Sequence, residues 1–203
     1  MLRDNGSDYH ILTNAVRQIK GIPGLVCEVG LREGGGIKHI VDTLLECEDF
    51  ERPVISIDPY GGLPYIQTET TMRWDGPYQN SMMTRTLSEL YGYVHNKKVH
   101  VLFFPLEDTE FFVRFAQGVP IYHRGKKTTM NNYALSFLDG PHNLDYTMNE
   151  TVFFAERSVP GSLIVYDDVK EYYNHDEIKN YLTSNGWKTF ESAPSKISYM
   201  RSA

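Results

Sequence analysis

Cysteine is scarce in this chain: there are two, Cys27 in an apolar run and Cys47 near the end of a helical pattern, with neither metal-finger nor redox spacing. Reduced, inert thiols are expected. Long apolar runs are missing too. No window reaches the roughly 18 apolar residues of a membrane helix, and residues 1–30 lack the basic-then-apolar layout of a secretory signal, so the expectation is a cytoplasmic chain without membrane contact. Single-sign charge runs are also absent, since the net charge of −6 is spread along the sequence. That argues against a surface that neutralises nucleic-acid phosphates and favours a small-molecule partner. No internal repeat, low-complexity tract or linker interrupts the chain. With 203 residues at 41% hydrophobic content, it can bury one good core, and a single domain over 1–203 is expected.

Present instead is an alternation of short apolar runs with helical patterns. Residues 7–20 carry Tyr9, Leu12, Val16 and Ile19 at helical spacing behind Ser7 and Asp8, both able to cap, and form a leading helix within 1–22. The apolar run LVCEV follows, then a glycine cluster, then Ile37, Ile40, Val41, Leu44 and Leu45 at helical spacing. Strands are expected at 53–57, 99–104, 133–138 and 162–166, and helices near 80–92, 109–116, 146–158 and 176–185, the last closed by Gly186. The tail, WKTFES and KISYMR, reads as an antiparallel hairpin at a sheet edge. Apolar strands alternating with helices require a mostly parallel sheet, because each parallel connection crosses over through a helix. The expected fold is therefore α/β, an open, mostly parallel seven-stranded sheet with helices on both faces. Segments 60–78 and 117–132 read as irregular substrate or lid loops.

In such a sheet, ligands bind beyond the carboxyl ends of the strands, which directs attention to the glycines after the first strand. A phosphate-cradling loop fails because Gly36-Ile37, not Lys-Ser or Lys-Thr, follows Gly35. A dinucleotide fingerprint is weak because Arg32 stands where its second glycine belongs. The remaining pattern is acid-x-Gly-x-x-x-Gly, from Glu28 through Gly30 to Gly34 and Gly35, joined by Asp58 at the end of the second strand. These residues resemble the class I methyltransferases that use S-adenosylmethionine. The resemblance implies a glycine turn under the methionine moiety, Glu28 near its amino group and Asp58 on the ribose hydroxyls, although a tight turn and a loop acid would account for the same residues.

SFLDGPHNLDY and SLIVYDDV each end an apolar strand in acid. Fourth and fifth strands lying side by side, about 4.8 Å apart, would bring Asp139, Asp167 and Asp168 together. Clustered carboxylates repel unless a cation sits among them, and oxygen ligands suit Mg²⁺ or Ca²⁺. Capping of the following turns is the alternative. With PLEDTEFF after the third strand, the order of these motifs over 25–170 resembles the metal-dependent sugar O-methyltransferases of the macrocin type and, more loosely, catechol O-methyltransferases.

That resemblance implies Asp139, Asp167 and Asp168 as ligands of a divalent cation, Mg²⁺, and Leu106 and Glu107 beside the adenine, where a surface helix start reads equally well. The sugar enzymes usually have Asp-Gly-Asp; here Pro141 replaces the second acid and His142 stands three residues after Asp139, where catechol-type enzymes place a lysine base. His142 is the candidate base, against a structural histidine.

The implied reaction is methyl transfer to a hydroxyl of a small molecule, a sugar or a catechol-like ring, with a homo-oligomer as a possible assembly. Tyr60, Tyr65, Trp74 and Tyr78 could stack on an acceptor ring, and Arg124, Lys126 and Lys127 could meet an acidic group. Rival readings keep the fold with different chemistry, such as a hydroxylase-like relative, or make the chain an inactive cofactor-binding subunit; a nicotinamide dehydrogenase is the remaining one.

Overall fold

The computed structural model describes residues 2–4, 6–61, 79–97, 99–123, 125–169 and 173–202, with the backbone alone of 65–66 and 73–74. Helix α1 (Tyr9–Gln18) leads into β1 (Leu25–Val29), and the glycine turn into α2 (Gly35–Glu46) and β2 (Val54–Ile57). A small pair, β3 (Tyr65–Ile66) and β4 (Arg73–Trp74), precedes α3 (Asn80–His95), β5 (Val101–Phe104) and α4 (Asp108–Arg114). Then come β6 (Val119–His123), β7 (Lys126–Met130), β8 (Tyr133–Leu138), α5 (Leu144–Glu156) and β9 (Ser158–Tyr166). Helix α6 (Asp176–Ser184), β10 (Trp187–Ser192) and β11 (Ile197–Arg201) close the chain.

Seven strands form one sheet in the order β10-β11-β9-β8-β1-β2-β5. β1 pairs parallel with β2 on one side and with β8 on the other, so the winding reverses beside the glycine turn. β11 runs antiparallel between β9 and β10, so the expected hairpin closes one edge of the sheet, with its second strand interior and its first outermost. Strand residues alternate between two cores. Val26, Phe137 and Val165 pack under α1, α2 and α3 with Leu12, Ile40 and Leu90, while Cys27, Ile55 and Ile164 face Phe111, Phe154 and Ile178 of α4, α5 and α6. Both faces are covered, as parallel pairing demands. No described helix is long and apolar enough to cross a membrane.

Two local expectations are corrected. Segment 117–132 is an antiparallel ribbon, β6 paired with β7; KKTTM is exposed along most of its length and so shows no apolar face to read. Neither Ser7 nor Asp8 caps α1 by a side-chain bond; the Asp8 carboxylate instead accepts from the Ser195 amide and hydroxyl, at 2.9 and 3.0 Å. Gly186 takes the left-handed conformation behind α6, as its position predicts.

Candidate active site

The glycine turn leaves the tip of β1 at the point where the sheet reverses. Gly30 has φ +90°, and a Cβ there would lie 2.0 Å from the carbonyl oxygen of Asp139 on the neighbouring strand tip. A Cβ on Gly36 would lie 2.2 Å from Glu28 Oε1. These two glycines let the strand tips and the start of α2 approach one another. Gly34 and Gly35 meet the chain's own N-terminal segment, with Leu2 Cδ2 2.6 Å and the Arg3 carbonyl 2.7 Å from the added carbons. Sequence reasoning assigned their space to a ligand and did not see this segment.

Glu28 is fully buried on β1. Its Oε2 accepts from the Ser56 hydroxyl at 3.3 Å, and its Oε1 has no hydrogen-bond partner among the described residues. Burial pushes its carboxyl well above the usual range. A buried acceptor left over at the turn is costly without a ligand and fits the ammonium of an amino-acid moiety.

Asp58, at the tip of β2, accepts from the amide of Arg32 at 2.9 Å and from that of Tyr60 at 3.0 Å. It ties the glycine turn to the second strand, and its remaining lone pairs can still serve hydroxyl donors. Burial raises its carboxyl to about 6, against the pull of those amides. Tyr60 is buried with its hydroxyl donating to the Arg32 carbonyl, so it is a brace for the turn and does not form a surface stacking platform. Leu106 is partly buried against the α4 side of the core, and Glu107 precedes α4 and accepts from the Thr109 hydroxyl at 2.9 Å, a helix-start role.

The far strand tips come together as their order requires. The Asp139 amide donates to Val29 O at 2.9 Å and the Asp167 amide to Leu138 O at 3.0 Å, carrying the ladder one step past each strand. Asp168 takes φ +52° while its amide donates to Asp167 Oδ1 at 2.9 Å. His142 is buried with Nε2 at 3.4 Å from Asp168 Oδ2 and 4.0 Å from Asp139 Oδ1. Burial lowers its imidazole to about 4, partly offset by the charge of Asp167. Asp139 is held well above the usual carboxylate range by burial, then by Asp167. Three carboxylates beside an unprotonated imidazole make a donor set of the kind that hard divalent ions take. As they stand, no three His, Cys, Asp or Glu side chains among the described residues are gathered so as to hold an ion.

Three functional candidates escaped the sequence reading. Asp108 and Glu150 are buried acids that meet each other, and burial raises both carboxyls. Glu150 sits on the apolar stripe of α5 with Thr147, Thr151 and Phe154, and a charge in that stripe is a legible anomaly. Lys196 is wholly buried and donates to Asp167 Oδ1 at 2.7 Å; only the pairing of β11 with β9 reveals it. Tyr78 and Arg124 lie outside the described residues, as do the side chains of Tyr65 and Trp74. Lys126 and Lys127 are exposed on the ribbon.

No protein-family model matches the sequence, and no curated protein does either. Solved structures do match its fold. One is a calicheamicin methyltransferase, 16% identical over 98% of this chain and 80% of that one, with a TM-score of 0.66. Another is the O-methyltransferase TomG from Streptomyces achromogenes in complex with S-adenosylmethionine, 11% identical, covering 95% and 77% of the two chains, TM-score 0.56. An rRNA methylase from Streptococcus thermophilus is 9% identical over 99% of this chain and 100% of that one, TM-score 0.53. The fold is thus the Rossmann-like fold of class I S-adenosylmethionine-dependent methyltransferases, as the strand order already indicates.

Proposed function

We propose that the chain is an S-adenosylmethionine-dependent O-methyltransferase acting on a hydroxyl of a small molecule, with a sugar or catechol-like acceptor as the substrate class. One observation carries this reading: Glu28 keeps an unsatisfied buried oxygen at the glycine turn, while the adjoining strand tips bring two carboxylates to within 4.0 Å of a buried imidazole. A cofactor site and a proton-accepting site thus share one sheet edge. The likeness to small-molecule methyltransferases supports the acceptor class, and the net charge of −6 argues against the nucleic-acid acceptor of the rRNA methylase.

In this reading Glu28 binds the amino group of the methionine moiety and Asp58 the ribose hydroxyls, by charge-assisted bonds that fix the sulfonium methyl in position. The acceptor oxygen attacks the methyl in line; the C–O bond forms as the C–S bond breaks, and S-adenosylhomocysteine leaves. Nε2 of His142, uncharged at neutral pH, takes the hydroxyl proton, and the Asp168 and Asp139 carboxyl groups, 3.4 and 4.0 Å from that nitrogen, favour the imidazolium that forms. A divalent ion, Mg²⁺ in the first instance, held by Asp139, Asp167 and Asp168 would supply acidity to the acceptor hydroxyl.

The test is transfer of labelled methyl from S-adenosylmethionine to a panel of catechols and nucleotide-linked or free sugars. The expected result is label in at least one acceptor, with His142→Gln reducing kcat by about 10²–10⁴ and leaving S-adenosylhomocysteine affinity unchanged. Label transfer that His142→Gln leaves untouched would remove the histidine from the mechanism. No transfer to any hydroxyl would remove the activity.

A further inference from the structure

Glu28 offers an acceptor for an ammonium, but an amino-acid moiety also carries a carboxylate, and the strand tips round the glycine turn are rich in acid. A carboxylate needs donors. Tyr9, the first residue of α1, is placed to give one. A Cβ on Gly35, where α2 begins, would lie 3.0 Å from the Tyr9 hydroxyl oxygen, so the phenol reaches the glycine turn itself. Its ring is held twice. It stacks on His39 of α2 with centroids 4.2 Å apart and planes 18° apart, and the Lys196 ammonium, which donates to the Ser7 carbonyl at 2.7 Å, lies 4.5 Å from the ring centre. His39 is fixed in turn by Asp4, 2.9 Å from its Nε2. The hydroxyl of this half-buried side chain enters none of the hydrogen bonds formed among the described residues. Burial, and after it the charges of Asp139, Glu28 and Asp167, hold the phenol far above its usual range, so it keeps its proton and remains a donor. Packing accounts for the ring; nothing among the described residues accounts for the oxygen.

We propose that Tyr9 is a cofactor-binding residue whose hydroxyl donates to the carboxylate of the methionine moiety, so that the leading helix forms part of the cofactor site. The neighbours decide which part of the cofactor it meets. Gly35 and Gly36 open α2, and the first amides of a helix favour negative charge. The unpartnered Oε1 of Glu28, which a Cβ on Gly36 would meet at 2.2 Å, takes the ammonium, and ammonium and carboxylate share one carbon. The inference rests on the S-adenosylmethionine reading given above, and binding alone tests it, without an acceptor or a methyl-transfer assay.

The experiment titrates the full chain calorimetrically with two ligands, S-adenosylhomocysteine and its decarboxylated form, which keeps the amine and loses only the carboxyl group. Wild type, Tyr9→Phe and Glu28→Gln are compared. Tyr9→Phe is expected to bind S-adenosylhomocysteine about ten- to a hundredfold more weakly than wild type, the size of a lost hydrogen bond to a charged group. It binds the decarboxylated ligand as wild type does, to within about twofold. Glu28→Gln weakens both ligands, because both carry the amine. The phenylalanine ring still stacks on His39, so Tm is expected to stay within about 2 °C of wild type; should the variant melt earlier, the ratio of its two affinities still carries the test. Tyr9→Phe that binds S-adenosylhomocysteine as tightly as wild type, or that loses both ligands in equal measure, would overturn the proposal, since a merely structural tyrosine does not distinguish them. Wild type that binds neither ligand removes the cofactor reading itself, and the proposal with it, a result that no difference between the variants can imitate.

Discussion

Gly30 and Gly186 both have positive φ, near +90° and +82°, yet a methyl group meets very different surroundings at the two sites. At Gly186 it enters open space, so Gly186→Ala pays only the left-handed backbone cost, about 1–2 kcal/mol. At Gly30 it strikes the Asp139 carbonyl at 2.0 Å, so Gly30→Ala is expected to cost upward of roughly 3 kcal/mol and to displace one strand tip from the other. Chemical denaturation of the two variants measures the difference; equal losses would mean the close approach is not there. Asp58 supports a second prediction at this scale. Burial, which penalises the ionised form, raises its carboxyl to about 6, so lowering the pH through 6 protonates it and removes the charged acceptor that the proposed ribose contact requires. S-adenosylhomocysteine affinity is therefore expected to weaken as pH falls through that value, and Asp58→Asn to be weak and flat on the acid side; a flat wild-type profile would contradict it. Glu28, Gly30, Asp58 and the three aspartates were legible because each sits at the end of an apolar run, where the chain must turn. Lys196 was not. Its meaning lies in a partner 29 residues earlier in the sequence, met only across the strand pairing.

At the scale of elements, the join between α1 and β1 depends on a residue from elsewhere. Arg52, buried just before β2, donates to the carbonyls of Ile22 at 2.8 Å, Gly24 at 2.9 Å and Ile19 at 3.2 Å, and pairs with Asp49 at 2.6 Å. Those carbonyls end the helix and cross to the first strand; without the guanidinium the carbonyls of Ile22 and Gly24 lose this donor, while that of Ile19 keeps the Ile22 amide at 2.9 Å. Arg52→Met is expected to cost about 2–4 kcal/mol in a denaturant midpoint at unchanged m-value, and Arg52→Lys to recover little, since an ammonium cannot span the fork. A loss below about 1 kcal/mol would show that water or the backbone takes over. Strands and helices were readable because an apolar repeat of two or near 3.6 residues survives wherever one face is buried. The β6–β7 ribbon was hidden for the opposite reason: Lys126, Lys127, Thr128 and Thr129 are exposed, and solvent imposes no repeat. The position of β11 inside the sheet was also hidden, because WKTFES and KISYMR specify a hairpin but not which of its strands meets β9.

Across the whole molecule, the order β10-β11-β9-β8-β1-β2-β5 decides what can be built at the carboxyl ends. The reversal at β1 puts the glycine turn between β2 and β8, so that Asp58 lies on one side and Asp139 on the other, and β9 adds Asp167 and Asp168 beyond. The N-terminal segment then crosses Gly34 and Gly35 and is pinned by Ser195 and Lys196. The central claim is that this edge binds a sulfonium nucleoside, and calorimetric titration of the full chain with S-adenosylhomocysteine tests it most directly. One site per chain is expected, weakened about tenfold or more by Glu28→Gln, which removes the carboxylate proposed to meet the amino group; absence of heat in the wild type, or binding indifferent to Glu28→Gln and Asp58→Asn alike, would contradict the account.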